Sequence, residues 1–75
     1  MKPIEAVHIA VGIKVRHLRE TLGITQEELA QRLHLTRSSL ASIETGRQRL
    51  LLSTVEELAR ALGTVPRVLL RGTWT

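Results

Sequence analysis

Residues 37–43 combine side-chain types and spacing that can read a nucleic acid. At helical spacing, one face of this segment is polar and consists of Arg37, Ser38, Ser39 and Ser42. Arginine can donate two hydrogen bonds to O6 and N7 of one guanine, whereas a serine hydroxyl donates or accepts and discriminates poorly. Such a short polar helix face can enter the major groove of DNA and hydrogen-bond to base edges.

This segment is the second of two short helices that follow each other almost directly. Thr25 is a natural N-cap for the first helix, and Glu28 completes a capping box with it. Thr36 can cap the second helix. The inward-facing apolar residues are Leu29, Ala30, Leu33, Leu40 and Ile43. Two short helices joined by a minimal turn predict a helix-turn-helix.

A longer helix precedes this pair. From Ile4, apolar residues recur at steps of three or four, which predicts one amphipathic helix of about 17 residues ending at Gly23. Its core-facing stripe is predicted to be Val7, Val11, Val15, Leu18 and Leu22.

The second helix of the motif is predicted to end at Gly46, and two further helices are predicted after it. Ser53 and Glu56 repeat the capping-box pattern, which predicts a fourth helix that ends at Gly63. Pro66 suits the first turn of a fifth helix. No strand is predicted, so we expect an all-α fold of five helices.

Length and composition limit the class of protein. Seventy-five residues support one core, and we expect one domain over residues 1–75 with its core at about residues 7–70. The net charge of +4 rests largely on arginine, and the chain has no cysteine. The longest apolar runs fall far short of the roughly 20 residues that a membrane span needs, and the amino terminus is unlike a signal peptide. We therefore expect a cytoplasmic, nucleoid-associated protein.

Four segments resemble the Cro and phage-repressor type of helix-turn-helix domain, the xenobiotic-response-element (XRE) family. They are Val-Gly-Ile-Lys-Val-Arg-His-Leu-Arg at 11–19, Gly-Ile-Thr-Gln-Glu-Glu-Leu-Ala at 23–30, Ser-Ile-Glu-Thr-Gly-Arg at 42–47 and Val-Glu-Glu-Leu-Ala-Arg-Ala-Leu-Gly at 55–63. The resemblance covers nearly everything from residue 11 to residue 70. It implies a compact lambda-repressor-like domain that binds operator DNA, usually as a homodimer.

The resemblance also implies roles for individual side chains. It makes the polar face of the second motif helix the base-reading surface, with contacts from Arg37, Ser38, Ser39 and Ser42. The alternative for Arg37 is that it binds only a backbone phosphate and contacts no base. Phosphate contacts are expected from Gln26, Thr36, Thr45, Arg47, Arg49, Lys14 and Arg16, the alternative being that these side chains are only solvated.

Arg19 and Glu44 stand apart from the DNA-contacting residues. In the resembling family the residues at these two positions tend to pair and to tie the first helix to the recognition helix. Their implied role is structural, and removing one partner of such a buried pair costs about 3 to 5 kcal/mol.

The chain departs from the family pattern in two places. His34 stands where the family usually has glycine, and histidine tolerates left-handed backbone better than most residues. Leu51 and Leu52 stand where the family often carries proline. We predict an apolar patch for a twofold partner that consists of Leu51, Leu52, Val65, Leu69 and Trp74.

The remaining residues argue against an enzyme. His8, His17 and His34 are spread over separate elements without metal-ligand spacing, and there is no Gly-rich phosphate loop or nucleophile with a nearby base. No catalytic site, metal or cofactor is predicted. We expect a transcriptional repressor that binds a palindromic operator in double-stranded DNA as a homodimer. The alternative is a protein-interaction module or antitoxin that binds a protein partner such as a toxin.

Overall fold

Five helices make up the described part of the molecule. The computed structural model describes residues 4–71, and within this range all regular structure is helical. The helices are α1 (Ile4–Thr21), α2 (Gln26–Arg32), α3 (Arg37–Glu44), α4 (Leu52–Ala61) and α5 (Pro66–Leu70). None of them is long and apolar enough to cross a membrane. The all-α prediction with a helix-turn-helix formed by α2 and α3 is confirmed.

The two motif helices begin at their predicted caps. The Thr25 hydroxyl accepts a hydrogen bond from the Glu28 backbone N–H at 3.0 Å, and the Glu28 carboxylate accepts one from the Thr25 N–H at 3.1 Å. The hydrogen bond from the Thr25 backbone is the main cause that holds the pKa of Glu28 below its usual value, and the bond with the Thr25 side chain acts in the same direction. At α3, the Thr36 hydroxyl accepts from the Ser39 N–H at 3.0 Å.

The start of α4 differs from the prediction. The predicted capping box of Ser53 and Glu56 is wrong, because Leu51 occupies the N-cap and makes no side-chain capping bond. The Leu51 carbonyl accepts from the N–H groups of Thr54 and Val55 at 3.0 and 3.1 Å, so the first helical turn closes before Ser53 can cap it. Ser53 therefore lies inside the first turn of α4.

An aliphatic core joins all five helices. Its buried members are Val7, Val11, Val15, Leu29, Ala30, Leu33, Leu40, Ile43, Val55, Leu58, Ala59, Leu62 and Leu69. Leu22 was predicted to belong to this core but is 52% exposed, because α1 ends at Thr21. Leu69 is wholly buried, so its prediction as a dimer-interface residue is wrong.

A glycine lets α1 lie directly on the last turn of α3. A Cβ added to Gly12 would lie 2.3 Å from the carbonyl oxygen of Ile43 and 2.8 Å from that of Glu44. Glycine within a helix costs roughly 0.5 to 1 kcal/mol relative to alanine. Here the close approach of the two backbones requires it, and the contact fixes where α1 crosses α3.

The turn between α2 and α3 is short and left-handed. His34 has a φ of 56°, which confirms that histidine takes the left-handed position in this turn. The Leu35 N–H donates to the Ala30 carbonyl at 2.9 Å and closes the end of α2. Only a few residues therefore separate the two helices of the motif.

Candidate nucleic-acid interface

A buried hydrogen-bond network joins α1, α2 and α3. Arg19 donates through Nε to Oε2 of Glu44 at 2.6 Å and through Nη2 to Oε1 at 3.2 Å. Gln26 Nε2 donates to the same Oε1 at 2.9 Å, and Arg19 Nη1 donates to the Ile24 carbonyl at 2.9 Å. The predicted pair of Arg19 and Glu44 is therefore present, with Gln26 as a third member.

The charges of this network are largely shielded from water, so its hydrogen bonds must offset the cost of removing both charges from solvent. The side chains of Arg19 and Glu44 are only 11% and 2% exposed. The hydrogen bonds to Glu44 raise the pKa of Arg19, and the charges of Glu44 and Glu20 act in the same direction, although burial opposes them. Glu44 ends α3, so the network fixes the orientation of that helix before any ligand binds.

A cleft beside this network brings together several predicted DNA-contacting residues. It has a volume of about 560 Å³ and is lined by Arg16, Arg19, Thr25, Gln26, Glu27 and Arg37. We call it the arginine cleft. Arg16, Gln26 and Arg37 come from three different helices, and guanidinium groups in this arrangement can bind phosphate oxygens. Arg16 also lies 3.6 Å from Glu20, in an exposed pair of little energetic weight.

The polar face of α3 is open to solvent at its beginning. Arg37 and Ser38 are exposed, whereas Ser39 and Ser42 are half-buried. Leu40 and Ile43 are fully buried on the opposite face, as the spacing predicts. Of the four predicted base contacts, Arg37 and Ser38 are therefore the most accessible.

The loop after α3 carries further cations. Arg47 and Arg49 are exposed, and Arg49 Nη2 lies 4.0 Å from the exposed carboxylate of Glu5. The Thr45 hydroxyl is also exposed but donates to the carbonyls of Ala41 and Ser42 at 3.0 and 3.2 Å. Arg47 and Arg49 therefore add exposed positive charge beyond the carboxyl end of α3.

Two polar residues of this region were missed by the sequence patterns. Gln48 accepts a hydrogen bond from the Ser39 hydroxyl at 3.4 Å. His8, predicted to have no role, accepts at Nδ1 from the Leu50 N–H at 3.2 Å and ties the loop to α1. The first contact joins α3 to the loop after it and the second joins residues 42 positions apart, and no periodic pattern signals either of them.

Lys14 does not lie with the predicted phosphate contacts. Its ammonium group donates to the carbonyl oxygens of Val68, at 3.4 Å, and Arg71. A cation is favourable here because the carbonyls at the end of a helix carry partial negative charge. The structure therefore assigns Lys14 to the carboxyl end of α5 and does not support its prediction as a phosphate contact.

Comparison with known proteins decides the family. A family model described as a helix-turn-helix domain matches residues 10–71. The chain belongs to the helix-turn-helix family. Within it, the match to a phage immunity repressor agrees with the predicted Cro and phage-repressor (XRE) type. Transcription regulators of this family are not enzymes.

Three relatives of this helix-turn-helix protein illustrate its position. It is 45% identical over 49 residues to an uncharacterized HTH-type transcriptional regulator of Methanothermobacter thermautotrophicus, a match that covers 65% of this chain and 71% of that protein. It is 42% identical over 55 residues to the immunity repressor protein of Bacillus phage phi105, covering 73% of this chain but only 38% of the repressor. The crystal structure of the restriction-modification controller protein C.AhdI from Aeromonas hydrophila matches with a TM-score of 0.77 and 36% identity, covering 81% of this chain and 92% of that one.

Several exposed apolar side chains lie outside the lining of the arginine cleft. Leu51 and Leu52 are 71% and 67% exposed, and Val65 is 46% exposed. These three of the five predicted dimer residues are therefore accessible, whereas Leu69 is not. Trp74, the fifth, lies outside the described residues.

Within residues 4–71, no group of three or more His, Asp or Glu side chains is arranged to hold a metal ion. The arginine cleft is lined by three arginines, a glutamine, a threonine and one glutamate. Such a set suits an anionic partner.

Proposed function

We propose that this helix-turn-helix regulator is a repressor that binds a palindromic operator as a homodimer, with α3 of each copy in the major groove. The observation that carries the proposal is the arrangement around α3. A buried network holds the helix at its carboxyl end, its exposed polar face begins at Arg37, and cationic side chains flank it. This arrangement suits insertion into a groove between two phosphate backbones.

The contacts divide into base-reading and positioning groups. Arg37 and Ser38 read base edges from the exposed start of α3, with Ser39 and Ser42 deeper on the same face. Gln26 and Arg16 bind phosphate beside the arginine cleft, and further phosphate contacts come from Thr36, Thr45, Arg47 and Arg49. Gln26 has a double function, because it already donates to Glu44 and so links a phosphate contact to the orientation of α3.

The dimer forms through the exposed apolar residues at the start of α4 and before α5. Leu51, Leu52 and Val65 present apolar side chains that a second copy of the chain would remove from water. A twofold axis through this surface places one α3 in each of two successive major grooves, about one helical turn of DNA apart. A protein bound in this way across a promoter blocks access by RNA polymerase. The relative named as an immunity repressor supports repression over activation.

The DNA-binding proposal is tested by selecting bound duplexes from a random pool and following the affinity of the selected duplex against salt concentration. We expect an inverted repeat and a log–log slope of about −4 to −8, which counts the phosphate contacts of both subunits. A pool that never enriches, with weak binding to all sequences, would contradict the proposal and favour a fold used for a protein partner.

The dimer proposal is tested by replacing both exposed leucines with serine. Leu51→Ser with Leu52→Ser is expected to leave the monomer folded, because both side chains are largely in water, and to shift sedimentation equilibrium to monomer. Leu22→Ser is the matched control, since Leu22 is exposed near the end of α1 and lies outside the proposed interface. A double variant that stays as dimeric as the control would contradict this interface.

A further inference from the structure

Gln48 lies within the interface although no sequence pattern marks it. It is an exposed residue of the loop after α3, between Arg47 and Arg49. Its Oε1 accepts the Ser39 hydroxyl at 3.4 Å, so its side chain returns from the loop to the polar face of α3. The Gln48 carboxamide is thereby held against the first half of the recognition helix.

The backbone on both sides of Gln48 is anchored. On one side, the Arg47 N–H donates to the Ser42 carbonyl at 3.0 Å and holds the loop to α3. On the other side, the Leu50 N–H donates to Nδ1 of His8 at 3.2 Å and holds the loop to α1. A loop anchored at both ends loses little further backbone freedom when its side chains bind a ligand.

The hydrogen bond to Ser39 leaves the reading capacity of Gln48 intact. A glutamine amide has two N–H protons and an oxygen with two lone pairs, of which only one lone pair is used here. The free amide protons and the second lone pair can bond N7 and the N6 amino group of one adenine. Ser39, in contrast, has a single hydroxyl proton, which in this contact is donated to Gln48.

We propose that Gln48 is a specificity-determining residue that reads an adenine in each operator half-site, with Ser39 as its positioning residue. The inference rests on the proposed function, because it requires α3 to lie in the major groove. It assigns the discrimination at this position to the loop glutamine and not to the serine of the helix.

The test compares wild type, Gln48→Ala and Gln31→Ala on the selected operator and on duplexes with each base pair of a half-site changed in turn. Gln31 is the matched control, because it is an exposed glutamine on α2 outside the interface. Wild type is expected to prefer adenine at one position of each half-site by about 5- to 150-fold. Gln48→Ala should lose this preference and keep the others, while Gln31→Ala keeps all of them.

The possible failures are distinguishable. If wild type selects an operator but Gln48→Ala keeps every preference, or loses affinity equally on all duplexes, the assignment of Gln48 is wrong and the proposed function stands. If wild type selects no sequence, the proposed function fails and the assignment of Gln48 fails with it. Melting temperatures of both glutamine variants are expected to equal that of wild type, because both residues are exposed.

Discussion

The helix-turn-helix motif and the start of α4 differ in how many of their side chains find a partner within the chain. In the motif, threonine side chains cap both helices, and the Glu44 carboxylate accepts three hydrogen bonds from Arg19 and Gln26. At the start of α4, a leucine occupies the N-cap without a side-chain bond, and two successive leucines lie largely in water.

This difference separates a region fixed by contacts within one chain from a region for which we propose a partner. The orientation of α3 is set by contacts within the chain, so its proposed base-reading face is already organised in the free protein, and little ordering entropy would be lost on binding DNA. The apolar side chains at the start of α4 are largely exposed within residues 4–71, and we propose that a second copy of the chain covers them. We infer that affinity for DNA depends on the first region and assembly on the second.

The largest effect is expected from removing the charge at the centre of the motif. Arg19→Ala should lower the free energy of unfolding by about 3 to 5 kcal/mol, because it leaves the Glu44 carboxylate buried without its cation. Urea denaturation measures the loss. In a domain of this size the melting temperature should fall by at least about 10 °C.

Arg16→Ala is the matched control for Arg19→Ala. Arg16 lies on the same helix but its side chain is 63% exposed, so its loss should cost less than about 1 kcal/mol. If Arg19→Ala melted at the wild-type temperature and only bound DNA more weakly, Arg19 would be a DNA contact and the contrast between the two regions would fail.

A smaller loss is expected at the crossing of α1 and α3. Gly12→Ala should destabilise the domain by roughly 1 to 3 kcal/mol, because the added Cβ would overlap the Ile43 carbonyl oxygen. The sign of the change is diagnostic. At an unconstrained helix position the same substitution stabilises by about 1 kcal/mol, so a more stable variant in a urea titration would show that the helices do not meet there.

The capping comparison should give the smallest change in stability. Thr25→Ala is expected to cost about 1 kcal/mol, since it removes the acceptor for the Glu28 N–H at the start of α2. Ser53→Ala should change the free energy of unfolding by a few tenths of a kcal/mol at most, because Ser53 caps no helix. Equal losses in thermal melts of the two variants would contradict the observed start of α4.

The accuracy of the sequence-based predictions follows the range of the interactions. Helix ends that depend on neighbouring residues, such as the Thr25 capping box and the left-handed turn at His34, were predicted correctly. The same Ser-x-x-Glu pattern failed at Ser53, because the pattern does not distinguish a cap from the first turn of a helix. Leu69 failed for a related reason, since apolar character does not distinguish a core from an interface.

Contacts between distant parts of the chain were largely beyond sequence patterns. The pair of Arg19 and Glu44 was expected only from the family resemblance. No helical or strand spacing predicts the close approach at Gly12, the bond between Ser39 and Gln48 or the attachment of Lys14 to α5. These contacts depend on how helices cross, which local patterns do not encode.

We propose that α3 reads base sequence through its exposed polar face. The most direct measurement compares the affinities of wild type and Arg37→Ala for the selected operator and for random DNA, with Arg32→Ala as an exposed arginine control on α2. We predict that Arg37→Ala loses about 5- to 150-fold in affinity on the operator and much less on random DNA, while Arg32→Ala shows no such difference. Equal losses on both DNAs would reduce Arg37 to a phosphate contact and contradict the claim.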